Sequence, residues 1–110
     1  MKHLIVCVLG VVSLSGAQAA QTFTGVITDD TCGATGGGHA SMRMGPTDAE
    51  CTRLCVLHHA GAYVLQDGKD LYALSDQRSP EQFAGQKVSV VGTLDAKTKT
   101  IQVDSIAAAR

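Results

Sequence analysis

"AYVLQDGKDLYALS", residues Ala62 to Ser75, is the stretch on which the fold turns. Two short alternating runs, rich in Val, Leu and Tyr, flank the dipeptide Asp67-Gly68. Such a dipeptide suits a tight turn that needs positive φ, so the stretch reads as a β-hairpin, the second and third strands of the chain.

Outward from the hairpin the pattern stays β. Downstream, Ser79-Pro80-Glu81-Gln82 offers an N-cap, a proline at the first helical position and a glutamine at the third, which predicts a short helix over Pro80 to Ala84 ending at Gly85. "QKVSVVGTLD" is a fourth strand, with Gly92 marking a bulge or sharp bend. After the turn "AKTK", the stretch "TIQVDSIA" is a fifth, and the terminal "AAAR" is expected to fray. Upstream, "TFTGVIT", Thr22 to Thr28, is β-branched, with Phe23, Gly25 and Ile27 on one face, and forms the first strand. Between strands one and two the periodicity breaks at "DDTCGATGGGHASMRMGP", a loop. Thr47-x-x-Glu50 is then a capping box, opening a helix that runs to about His59 and stops near Gly61. On it Cys51, Leu54, Cys55 and His58 fall on one stripe by their spacing.

Three strands, a short helix and a final pair of strands is the element order of the OB-fold, a five-stranded, partly open Greek-key barrel. The fold class is therefore mainly β: a small OB-like barrel with a loop-helix insertion, residues 29–61, between strands 1 and 2 and a short helix between strands 3 and 4. A different small β meander or sandwich is the alternative.

The N-terminus sets the compartment. Lys2 and His3 precede the apolar run Leu4 to Val12, followed by "SLSGAQAA" with the small-x-small motif Ala17-Gln18-Ala19. This predicts a signal peptide over residues 1–19, leaving residues 20–110 as one domain, periplasmic or secreted. The apolar run falls short of the roughly 20 residues a transmembrane helix needs, so no membrane span is expected after cleavage. The chain carries a formal net charge of −1, no tryptophan and only 4% aromatic residues. No basic face offers itself to nucleic acid, and no aromatic platform to bases or sugars. A monomer is expected.

The chain resembles a family of short exported bacterial proteins of unknown function, through "GVITDDTCG", the histidine after the glycines, "CTRLC", "GAYVLQDG", "YALSD" and "FAGQKVSVVGTLDAKTKTIQVDSI". Its second half is also similar to periplasmic bacterial OB-fold proteins, which generally lack the cysteine-bearing insertion. The resemblance implies a fold and carries no activity with it.

Of the 4 cysteines, Cys7 leaves with the signal peptide, so the exported chain holds Cys32, Cys51 and Cys55. Two readings follow. In the first, these cysteines with His39, Met42, Met44, His58 and His59 form a Cys/His/Met cluster for a soft transition metal. Thioether beside thiolate and imidazole puts Cu(I) ahead of Zn(II). The role would be sequestration or delivery, the glycines of "TCGATGGGHASMRMG" letting the loop open. In the second, a disulfide from Cys32 to Cys51 or to Cys55 staples the loop to the helix, closing about 20 residues for roughly 3 kcal/mol. The product is a non-catalytic structural or protein-binding module with a partner in the cell envelope. Cys51 and Cys55 within one helix are poorly set for a bond to each other.

No enzyme is expected. Nothing in the sequence holds a base against a cysteine nucleophile. Asp29 and Asp30 are adjacent in an extended chain and point apart, which suits loop anchoring better than acid-base work. "GATGGG" lacks the lysine of a phosphate loop, and Cys-x3-Cys inside a helix is not the Cys-x-x-Cys of a thiol-disulfide oxidoreductase.

Overall fold

The computed structural model describes residues 19–31, 47–58 and 61–109. Strand β1 (Gln21–Asp29) leads to helix α1 (Asp48–His58), then β2 (Tyr63–Asp67), β3 (Asp70–Leu74), a 3-10 helix (Ser79–Phe83), β4 (Lys87–Asp95) and β5 (Thr100–Ala108). The five strands form one mixed sheet whose hydrogen-bonded order, β1-β2-β3-β5-β4, closes on itself.

β1 is shared along its length. Its first part, Gln21 to Val26, pairs antiparallel with β4, and its last part, Val26 to Asp29, with β2. Only Val26 faces both neighbours, so the strand must turn from one partner to the other there. Gly25 stands at that turn, where an added Cβ would collide with the Gln66 carbonyl. β4 shows the same device: the β4–β5 register slips between Val91 and Gly92, and a Cβ on Gly92 would strike the Gln102 carbonyl. A bulge with a glycine sharpens the twist a closed sheet needs.

The β2–β3 hairpin forms as expected, with Asp67 opposite Asp70. The central turn residues are therefore Gly68 and Lys69, one position later than the Asp67-Gly68 reading. Gly68 sits at φ 62°, positive φ at the first central position being the mark of a type II′ turn. β3 and β5 run parallel through Ala73–Thr100 and Leu74–Ile101. Their contact is short, and Ser75 extends it: its N–H donates to the Ile101 carbonyl at 3.0 Å, and its Oγ accepts from the Val103 N–H at 2.9 Å.

The helix between β3 and β4 is one turn of 3-10 type, and its cap differs from expectation. Ser79 is the first helical residue and Arg78 takes the N-cap position, with no side-chain cap bond; just ahead, the Asp76 carboxylate accepts from the N–H groups of Arg78 at 2.9 Å and Ser79 at 3.1 Å. Hydrogen bonds from Ser79, side chain and backbone, and then from Arg78 hold the Asp76 pKa below its ordinary value. Pro80 stays in the first turn, where its missing N–H costs nothing. The C-terminus also departs from expectation. Ala107 and Ala108 stay in β5, opposite Ser89 and Val88, and the Ala109 N–H donates to the Lys87 carbonyl. Backbone pairing thus holds residues with almost no side chain to bury.

The core is aliphatic. Ile27, Leu65, Val88, Val90 and Ile101 are fully buried, joined by Ala84, Tyr63 and Leu74. They come from every strand, as period-two alternation requires of a sheet curled around one interior. No helix of the described residues is long and apolar enough to cross a membrane.

Candidate functional site

The insertion leaves and re-enters the sheet at one point, and the acidic pair Asp29-Asp30 secures it. The Asp30 N–H donates to the Ala62 carbonyl at 3.0 Å, and the Ala62 N–H returns a bond to Asp30 Oδ1 at 2.9 Å. Asp29 is fully buried, and its Oδ2 accepts from the Thr31 N–H at 3.0 Å. The two carboxylates thus anchor the loop, as their adjacency suggested.

The Thr47 half of the capping box forms. Thr47 Oγ1 accepts from the Glu50 N–H at 3.1 Å, and its hydroxyl reaches Glu50 Oε1 at 3.4 Å. This fixes where α1 starts. The helix lies against β1 and sends Val56 onto the core. Its buried residues are Cys51, Thr52 and Cys55, so the inward face is rotated from the Cys51-Leu54-Cys55-His58 stripe toward Thr52 and Val56. Leu54 is half-buried and His58 exposed. Apolar residues are spread around α1 with almost no bias, which is why spacing alone misplaces the face. The buried polar groups Thr28, Asp29 and Thr52 all have partners, as burial demands.

Of the expected metal ligands, Cys51 and Cys55 come together as a fully buried pair, and His58 stands apart on the exposed side of the helix. Cys32, His39, Met42, Met44 and His59 lie outside the described residues. Among the described residues no group of three or more His, Cys, Asp or Glu side chains is set to hold a metal ion.

A surface feature that spacing did not reveal lies on the other side of α1. Leu57 is 73% exposed. With Arg53, Leu54 and Val56 of the helix, and Tyr63, Gln77 and Glu81 of the sheet side, it lines a groove of about 270 Å3. Tyr63 N–H donates to Gln77 Oε1 at 2.8 Å, and Gln77 Nε2 donates to the Tyr63 carbonyl at 2.9 Å and the Leu74 carbonyl at 3.1 Å. The Gln77 amide thereby stands in for a further strand residue and makes one wall rigid. Arg53 Nε donates to the Glu81 carbonyl at 3.1 Å, tying α1 to the 3-10 helix. Burial raises the Tyr63 pKa, the Glu81 carboxylate adds to the rise, and the Arg53 guanidinium opposes it. The three side chains therefore share one electrostatic environment.

Beyond Arg53 and Glu81 the groove continues into a second cleft, lined also by Arg78 and Gln82. A larger concavity, formed by Thr93 to Lys97 with Gln102, lies under the β4–β5 turn. All its walls come from that one hairpin, and it offers no converging reactive groups.

One family matches the chain: residues 55–109 fit the family described as "Protein of unknown function (DUF5818)". The matched span covers the end of α1 and all that follows, including β2 to β5. No curated protein and no solved structure matches the chain.

Proposed function

The chain belongs to the DUF5818 family of unknown function, and we propose that it is a non-catalytic, exported binding module whose α1 face meets a protein partner of the cell envelope. The observation that carries this reading is Leu57, the most exposed large apolar side chain among those described, set in a groove whose other walls are held by Arg53 and Gln77. Leu54 and Val56 line the same groove beside Leu57, and grouped apolar side chains at a concavity, rather than one alone, suit a binding surface.

The fold we infer is an OB-like Greek-key barrel carrying this helix as an insertion. Support comes from the closed strand order with its parallel β3–β5 pair and from the single helical turn between β3 and β4. In this reading a disulfide from Cys32 to Cys55 staples the insertion. It is supported by Cys55 being fully buried, with Cys51 one turn away on the same helix and poorly placed to bond it.

Thiol counting and metal analysis of residues 20–110 test this. The expected result is one alkylatable cysteine in denaturant, three after reduction, and no Cu(I) or Zn(II) retained after exposure and desalting. Three reactive thiols without reduction, or one equivalent of retained metal, would overturn it in favour of the Cys/His/Met metal site.

A further inference from the structure

We draw no further inference here: the strongest candidate, the groove between α1 and the 3-10 helix lined by Arg53, Leu54, Leu57 and Glu81, belongs to the surface already described, and with Glu81 beside Arg53 and Asp76 beside Arg78 balancing the two arginines, nothing in the structure shows what covers it.

Discussion

The closed sheet and helix α1 are held by different physics. In the sheet, Ile27, Leu65, Val88, Val90 and Ile101 are sealed from solvent, and each strand has a hydrogen-bonded neighbour on both sides. In α1 the fully buried residues are two cysteines and a threonine, and order comes from terminal devices: the Thr47 cap, the Asp30–Ala62 pair of bonds and the Arg53–Glu81 tie. A sheet with an aliphatic core can tolerate variation in its surface; a helix with so little apolar burial depends on each of its attachments. That contrast leaves α1 free to present Leu57 outward.

Four substitutions sharpen the contrast. Ile101→Ala, in the centre of the core, should lower global stability by about 2–5 kcal/mol, read as a shift of the urea midpoint seen equally by every probe. With the Cys32–Cys55 disulfide we propose, Cys55→Ser should remove a loop-closure contribution of about 3 kcal/mol. Its effect should be concentrated in α1, so that helical circular dichroism is lost before the sheet unfolds. Thr47→Ala should cost about 1 kcal/mol, visible as weaker amide protection in the first turn of α1. The smallest effect belongs to Asp76→Asn. The Asp76 pKa is depressed in the folded state, so its contribution is present above the unfolded value and is lost as pH falls through the folded one. Thermal melts of the wild type should therefore weaken below about pH 4 more steeply than those of the asparagine variant.

Much of the sheet was legible because its signals are local. The Asp67-Gly68 dipeptide, the alternation of β1 and β5 and the glycine in β4 each mark structure within a few residues, and Thr47-x-x-Glu50 marked the start of α1. What local pattern could not supply was orientation. Thr52 and Val56 compete with Leu54 and His58 for the inward face at equal spacing, and contact with β1 decides between them. Ser79 likewise had the chemistry of a cap, but it is already the first residue of the 3-10 helix, and its N–H turns back to the Asp76 carboxylate. The groove was hidden for the same reason: Arg53 and Glu81 are far apart in sequence and meet only once the sheet has closed. A polar residue and a leucine on the outer helix face, Arg53 and Leu57, were the available hint.

Native-state hydrogen exchange, with and without dithiothreitol, addresses the central claim that α1 is an attached element on a sheet that stands without it. The account predicts that reduction strips protection from the amides of residues 51–58 while those of Ile27, Leu65, Val90 and Ile101 keep theirs. Simultaneous loss of protection in both regions, or none in either, would contradict it.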